Sequence, residues 1–235
     1  MTVTRRLLTD DEEQLKRFLE GHLDTSMILR SNLERVGVEG QGQYSGDYFG
    51  SFTGHILTAV VAHYWNGNLL VQGLHGLEAA VRLAVEATAR PVRGVLGPAE
   101  SLKRTLQALD LTQRPTAVNS LELLFTLDLK MLQVPQPLAD GRCQCHRATR
   151  LDRASFLADW RGDYIVEALH AEDTEAMRSD VRESMSRPGA MDLWVLEVEG
   201  QPVAMSGFNA EALGSFRSAG SGLRPLCGDV ATAGP

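Results

Sequence analysis

Apolar residues recur at helical spacing in some stretches of the chain and alternate with polar residues in others. Helical spacing is typical of an amphipathic helix, and a short apolar or alternating run is typical of a strand. In the first half this pattern predicts helices near 12–19, 27–36, 76–89 and 98–109, and strands near 44–52, 55–64, 68–72, 92–96 and 120–129. Asn66-Gly67 is a hairpin signal between two of these strands. The order predicts an α/β fold with a mixed sheet, antiparallel first and parallel where helices intervene.

A similar order of elements begins again after residue 141. It predicts a strand at 143–148, helices at 151–169 and 174–186, and a hairpin with strands at 193–198 and 203–208. Two prolines fall within the aperiodic residues before it, and many glycines fall within the aperiodic residues after it. We therefore predict a first domain at 1–132, a linker at 133–141, a partial second domain at 142–212 and a disordered tail at 213–235.

Composition narrows the class of protein. Charged residues make up 23% of the chain and the net charge is −7, which is unlike the basic surface that binds a nucleic acid. No apolar run approaches the roughly 18 residues of a membrane helix. Three cysteines fit a reducing cytoplasm and no disulfide framework. We therefore expect a cytoplasmic protein that binds neither nucleic acid nor membrane.

Several stretches of the chain resemble a known family. RATRLDRASFLADWRGDYIVEAL and LWVLEVEGQPVAMSGF resemble the first strand, first helix and hairpin of a GNAT acetyltransferase domain. SMILRSNLERVG and VVAHYWNGNLLVQG resemble the degenerate N-terminal domain of two-domain GNAT proteins. The resemblance extends to about Ala212. It implies a tandem GNAT-like acyl-CoA N-acyltransferase fold with an incomplete second copy, acetyl-CoA as cofactor, and a small-molecule or peptide amine as acceptor.

The GNAT family binds its cofactor through Arg/Gln-x-x-Gly-x-Gly/Ala, which follows the fourth strand. The glycines let backbone N–H groups approach the pyrophosphate at a helix start. The matching place in the first half is Gln72-Gly73-Leu74-His75-Gly76, where a histidine stands in place of the first glycine. We predict a degenerate loop there, carried by Gln72, Gly73 and Gly76. After Phe208 we identify no such loop, so no intact cofactor site is predicted.

A change of reading frame would explain the residues from about Gly214 onward. When each codon takes the third base of one residue and the first two bases of the next, residues 216–234 permit QVGGVWTPPALRGRGYGR. This string resembles a GNAT fourth strand followed by its acetyl-CoA loop. We hypothesise that the chain from about Gly214 is an out-of-frame translation. The alternative is a natural tail without function.

Other chemistry-bearing residues favour structural roles. Cys143, Cys145 and His146 have no second pair of ligands, which a structural zinc site needs. No metal site is predicted, and the two cysteines are interpreted as sheet residues. Three further histidines lie in or beside predicted strands without a carboxylate cluster, and they are also interpreted as structural: His55, His63 and His75.

One helical face in the second half carries candidate residues for the acceptor site. Trp160, Asp163, Tyr164 and Glu167 share this face by their spacing. The resemblance implies that the first helices wall the amine site, where a carboxylate would bind or deprotonate an amine. The alternative is that the aromatic residues are core and the acids are solvated. Ser206 on a later strand is a further candidate, and no catalytic residue is assigned.

The resemblance implies a transferase, an acetyl-CoA-dependent N-acetyltransferase, and the missing loop predicts that this chain transfers little or no acetyl group. The competing interpretation is a non-catalytic module that binds a small molecule or dimerises through the first half. The sequence does not decide between an enzyme and such a module, and it leaves homo-oligomerisation open.

Overall fold

The structure, a computed structural model, describes residues 1–123, 127–187, 192–212 and 215–223. It is a mixed α/β structure with two separate sheets. The chain divides into two compact units, made mainly of Met1–Thr126 and of Leu127–Asn209. The boundary between them lies a few residues before the linker that the sequence predicts.

The N-terminal unit is built on a five-stranded mixed sheet. Its elements in chain order are β1 (Thr2–Arg6), α1 (Glu12–Glu20), α2 (Leu23–Val36), β2 (Gly46–Thr53), β3 (Ile56–Tyr64), β4 (Asn68–Gly73), α3 (Leu77–Thr88), β5 (Gly94–Leu96) and α4 (Ala99–Ala108). The strands lie in the order β1-β2-β3-β4-β5. All neighbours are antiparallel except the parallel pair β4–β5. The predicted mixed sheet is confirmed, and β1 is a strand that the sequence pattern does not predict.

Helices cover both faces of this sheet. Val60 and Ala62 of β3 belong to an apolar cluster with the buried leucines of α1 and α2. Ala59 and Val61, which alternate with them, belong to a second cluster with the apolar face of α3. Because successive side chains of a strand point to opposite faces, β3 is buried on both sides and lies at the centre of the unit.

A pair of tyrosines provides the polar centre of the first cluster. The hydroxyls of Tyr48 and Tyr64 lie 3.0 Å apart, and their rings meet edge to face. Burial raises the pKa of Tyr64 to about 12, although hydrogen bonds with Tyr48 and Asn32 lower it in part. Both hydroxyls therefore stay protonated at neutral pH, and they add a directed bond to a core held otherwise by apolar contacts.

The strand predicted at 120–129 is wrong for the residues that the structure describes. Residues 120–123 and 127–128 have no regular secondary structure, and Leu129–Met131 forms one short 3-10 turn. The remaining residues of the prediction, 124–126, lie outside the described part of the chain. The apolar side chains around them are exposed instead of packed against the sheet.

The C-terminal unit is built on a second sheet, whose strands lie in the order β6-β7-β8-β9. Its elements are α5 (Gln136–Ala139), β6 (Cys143–Arg147), α6 (Arg150–Asp152), α7 (Ala158–Leu169), α8 (Glu175–Ser186), β7 (Asp192–Val198), β8 (Gln201–Ala212) and β9 (Ser215–Leu223). β7 is antiparallel to both β6 and β8. The structure differs from the prediction of a disordered tail, because β9 falls within 213–235; residues 213–214 and 224–235 are outside its description.

A single apolar cluster holds this second unit together. It joins side chains of α8, the first residue of α7 and the residue before it to one face of the sheet: Leu157, Ala158, Val181, Met185, Leu193, Val195 and Met205. Val195 and Met205 are directly opposite each other on β7 and β8. Among the described residues of the whole chain, the helices lack the length and apolar character needed to cross a membrane.

His63 is a buried polar residue of β3 beneath the end of α3. Thr88 donates its hydroxyl proton to the Ala84 carbonyl at 2.8 Å, so the His63 Nδ1, 2.7 Å from the Thr88 hydroxyl, is the donor in that contact. Burial lowers the pKa of His63, and the nearby Arg90 charge lowers it further. The imidazole is therefore neutral in the folded chain at neutral pH.

We predict that the free energy of unfolding falls as the pH drops below about 6.5. The unfolded chain takes up the His63 proton more readily than the folded chain, so this contribution is intact above the unfolded pKa and is lost on acidification. Denaturant titrations from pH 7.5 to 5 measure it. The variant His63→Asn should have a lower free energy of unfolding at pH 7.5, and this free energy should change less with pH. The exposed control His75→Asn should keep the pH dependence of the parent chain. An unchanged slope in His63→Asn contradicts the prediction.

Candidate functional site

The degenerate loop lies between β4 and α3, where a helix follows a strand of the parallel pair. β4 ends at Gly73, and α3 begins directly after Gly76. Gly73 and Gly76 have φ angles of +87° and +82°, which glycine adopts without strain. The structure therefore places the three predicted residues at the end of β4 and just before α3: Gln72, Gly73 and Gly76.

Side-chain hydroxyls hold the backbone carbonyls of this turn. Ser101 Oγ donates to the Gly73 carbonyl at 2.9 Å, and Thr58 Oγ1 donates to the His75 carbonyl at 2.8 Å. Ser51 Oγ donates to the Gly76 carbonyl at 2.7 Å. These donors come from α4, β3 and β2. The turn is thus tied to its neighbours in the sheet and to the helix that follows β5.

Little space surrounds the two glycines. A Cβ atom on Gly73 would lie 2.4 Å from the Thr58 carbonyl oxygen, and one on Gly76 would lie 2.6 Å from the Ser51 Cβ. Both distances are far shorter than van der Waals contact. Packing and backbone conformation therefore explain both glycines without any ligand.

The side chain of Gln72 is also committed to the fold. It is 3% exposed, and its Oε1 accepts a hydrogen bond from Thr25 Oγ1 of α2 at 2.9 Å. A buried amide needs such a partner. Gln72 therefore links α2 to β4 and leaves its oxygen turned toward the helix that already satisfies it.

A carboxylate already present at the start of α3 disfavours the binding of an anionic ligand there. Glu78 lies in the first turn of α3, where the helix dipole stabilises a carboxylate. Its Oε1 is 3.5 Å from Arg104, which also pairs with Glu100 at 3.1 Å. A pyrophosphate at the same helix start would meet an existing negative charge. The carboxylate of Glu78 therefore disfavours an anionic ligand at this turn.

The parallel strands beside the turn separate early. β4 and β5 pair only over residues 68–70 and 94–96. Beyond that point a Cβ on Gly97 would lie 2.5 Å from the Val71 carbonyl oxygen, and α4 begins two residues later. The start of α4, with Ser101 on the Gly73 carbonyl, therefore occupies the position beside the end of β4.

The C-terminal unit contains a pattern that the sequence reasoning missed. Arg217-Ser218-Ala219-Gly220-Ser221-Gly222 has the spacing Arg-x-x-Gly-x-Gly, so the interpretation that nothing of this kind follows Phe208 is wrong for the residue pattern. All six residues lie in β9, next to β8. Their backbone is a strand and not a turn that opens onto a helix. The glycine-rich part of the shifted-frame string falls on residues outside the described ranges.

The predicted acceptor-site residues of the second half lie together on α7: Trp160, Asp163, Tyr164 and Glu167. Trp160 packs beside the core, with its ring centroid 5.0 Å from that of Phe156. The Arg161 guanidinium lies 5.0 Å from the Tyr164 ring centroid. Glu167 is exposed. One aromatic residue of the four therefore belongs to the core, and the other three face outward to different degrees.

Asp163 takes part in an ion-pair network between α7 and the start of α8. Arg178 NH1 lies 3.0 Å from the Asp163 Oδ1, and Arg178 Nε lies 2.7 Å from the Asp173 Oδ1. A Cβ on Gly162 would lie 3.0 Å from the same guanidinium, so the glycine lets Arg178 cross the helix closely. Hydrogen bonding to Arg178 lowers the pKa of Asp173. A role for Asp163 as a base would require this network to open.

Ser206 does not join these residues. It lies opposite Trp194 in the pairing of β7 and β8, and its neighbour Met205 belongs to the core under the helices. Alternate residues of a strand point to opposite faces. Ser206 is therefore on the face of the sheet turned away from α7.

Cys143 and Cys145 share one face of β6, and His146 occupies the other. The His146 Nε2 lies 3.5 Å from Asp152, and its Nδ1 lies 4.0 Å from Glu197. Burial alone would raise the pKa of Asp152, but hydrogen bonds from Thr149 and His146 lower it overall. Within the described ranges, no group of three such side chains could hold a metal ion.

Two open clefts lie in the N-terminal unit, with volumes of about 400 and 410 Å³. Asp47 in the first cleft pairs with both Arg6 and Arg90. Arg90 also donates to the backbone carbonyls of His63 and Tyr64. Asp47, Arg6 and Arg90 are therefore engaged with one another and with the sheet, which gives these charged groups of the cleft a structural explanation.

Comparison with known proteins identifies no relative: no protein-family model matches the chain, and no curated protein matches it either. The geometry of the described residues is therefore the basis for interpreting the site. That geometry gives the turn between β4 and α3 a packing role, and it gives Asp163 a role in the α7–α8 ion pairs.

We predict that Gly76→Ala lowers the free energy of unfolding by about 2–4 kcal/mol, because strain at positive φ adds to overlap with Ser51. Gly54→Ala is the matched control. Gly54 has φ of +61° with nothing within 4 Å of a Cβ, so strain alone should cost about 1 kcal/mol. Chemical denaturation of both variants measures the difference. Equal losses would mean that packing around Gly76 contributes nothing.

Proposed function

We propose that the chain is a GNAT-like N-acyltransferase in which acetyl transfer has been lost. The observation that carries the proposal is the element order of the N-terminal unit. It runs strand, two helices, hairpin, fourth strand and helix, which is the order that the sequence resemblance implies. The fifth strand then pairs parallel with the fourth.

The C-terminal unit supports the proposal of a tandem arrangement. After the short helix α5 it runs through β6, α6, α7 and α8, and then forms the β7–β8 hairpin. β9 follows at the place of a fourth strand. The same succession of elements therefore occurs twice, as expected if the two units arose by duplication.

Loss of transfer follows from what the two units offer an anionic cofactor. In the turn between β4 and α3, three side-chain hydroxyls donate hydrogen bonds to the backbone carbonyls. The first turn of α3, which follows, contains the Glu78 carboxylate. The glycine pattern in the second unit lies in a strand. Backbone N–H groups converge on a pyrophosphate where a turn meets a helix start. The β4–α3 turn meets a helix start but has Glu78 in the first helical turn, and the pattern in β9 meets no helix start. The transferred acetyl group would come from acetyl-CoA in an active relative.

We predict that the purified chain releases no free CoA from acetyl-CoA in the presence of primary amines such as peptide N-termini and polyamines. Thiol release measures turnover, and calorimetry at micromolar concentration measures binding. Both should match a blank without protein. Turnover above the blank contradicts the proposal. Heat that disappears in Gly222→Val but persists in the control Gly200→Val would assign cofactor binding to β9 and would also contradict it.

The reading-frame hypothesis has a separate test in the gene. The nucleotides from about codon 213 should encode, in the shifted frame, a loop of the RGRGYG type followed by further helical and strand periodicity. A shifted frame that stops or loses its periodicity removes this explanation. The proposal that transfer has been lost would then depend only on the geometry of the two units.

A further inference from the structure

Two cysteines lie on one face of β6, which is the first strand in the order β6-β7-β8-β9. Cys143 and Cys145 are separated in this strand by Gln144. Because alternate side chains of a strand point to the same face, the two thiols share a face and Gln144 lies on the other. Both cysteines are free, Cys145 is exposed and Cys143 is partly buried. The pair is therefore accessible to a ligand from solvent.

Aliphatic side chains of β7 adjoin the two thiols on this face. Cys143 is opposite Val198 and Cys145 is opposite Leu196 in the antiparallel pairing. The Cβ atoms of such opposite residues lie about 5 Å apart. Thiols beside aliphatic groups suit a soft cation better than a hard cation such as Mg²⁺, which takes oxygen ligands.

The nearby histidine belongs to a different set of contacts. His146 occupies the opposite face of β6, where its Nε2 lies 3.5 Å from Asp152 and its Nδ1 lies 4.0 Å from Glu197. Among the residues that the structure describes, no three histidine, cysteine or carboxylate side chains form a group that could hold a metal ion. The thiol face of β6 therefore offers a metal two sulfur ligands.

We propose that Cys143 and Cys145 bind one Cu(I) ion as a two-coordinate bis-thiolate. The softness and the number of the ligands select this ion. Thiolates favour Cu(I), zinc and iron–sulfur clusters, but structural zinc and iron–sulfur clusters take four protein ligands. Cu(I) is satisfied by two thiolates in a linear arrangement. Both thiols release their protons to solvent as the two S–Cu bonds form, and the copper keeps its oxidation state.

The spacing of a strand permits both bonds. Alternate Cβ atoms are about 6.6 Å apart along a strand, since the rise is about 3.3 Å per residue. Bonds of about 2.3 Å, the length of a thiolate–zinc bond, set the sulfurs about 4.6 Å apart across a linear ion. Each sulfur closes this difference by leaning about 1 Å toward the other, and side chains in strands adopt rotamers that lean along the strand. The backbone pairing of β6 with β7 is therefore retained.

The proposed copper site is independent of the proposed loss of acetyl transfer. That loss rests on the turn between β4 and α3 and on the strand β9, whereas the thiols lie on β6. It also differs from the four-ligand zinc site, which the sequence does not provide. A reduced thiol pair and Cu(I) both belong to a reducing compartment, which the sparse cysteines favour.

Anaerobic titration of the reduced full chain with Cu(I) tests the proposal, with bathocuproine disulfonate as the competing chelator. The parent should bind one ion per chain and show an ultraviolet thiolate-to-copper absorption band. Cys143→Ser and Cys145→Ser should each weaken binding about a hundredfold, because each removes one of the two bonds. X-ray absorption of the copper-bound parent requires no variant, and it should show two sulfur neighbours.

A matched control separates the geometry of the strand from the number of thiols. Gln144→Cys/Cys145→Ser keeps the cysteine count but sets the two thiols of β6 on opposite faces. It should bind copper as weakly as Cys145→Ser. His146→Asn and Cys227→Ser should bind like the parent; Cys227 lies outside the described residues.

Several results would overturn the proposal. A parent that leaves all copper with the chelator, a matched control that binds like the parent, or a loss of binding in Cys227→Ser would each do so. Three sulfur neighbours, Zn(II) bound as tightly as Cu(I), or a copper-bridged dimer in sedimentation velocity would also contradict a two-thiol site within one chain.

Discussion

The burial of β3 on both faces is the constraint on which the N-terminal unit depends. Ala59 to Tyr64 are each no more than 1% exposed, although strand side chains alternate between two faces. Helices must therefore lie on both sides of the sheet. α1 and α2 fill one side, and α3 fills the other. This requirement places the turn between β4 and α3 at the sheet end, where the chain must leave the strand and cross to the second face.

The glycines of that turn are of a type that serves close packing in some proteins and ligand binding in others. Glycine permits both the positive φ and the close approach of other backbone. Here the approach is made by hydroxyls of Ser51, Thr58 and Ser101 to the carbonyls. A phosphate needs the N–H groups instead, with no carboxylate beside them. A glycine pattern alone therefore does not specify an anion site; the groups around it decide.

The sequence predicts the helices and the β3–β4 hairpin well, because each needs only local spacing and an Asn-Gly turn. It misses β1, since Thr2–Arg6 is an edge strand with largely exposed side chains and little apolar signal. It places Asp163 correctly on a helical face but cannot foresee Arg178, which is fifteen residues away in sequence. It also overlooks Arg217–Gly222, and spacing alone would not have shown that these residues lie in β9.

The strand predicted at 120–129 exposes the limit of such reasoning most clearly. An alternating pattern indicates that one face of the strand requires burial, but it does not indicate which surface buries that face. β3 finds its cover within its own unit. The apolar side chains of 121–123 and 127–131 stay exposed, so their pattern describes a contact that the described residues of one chain do not complete.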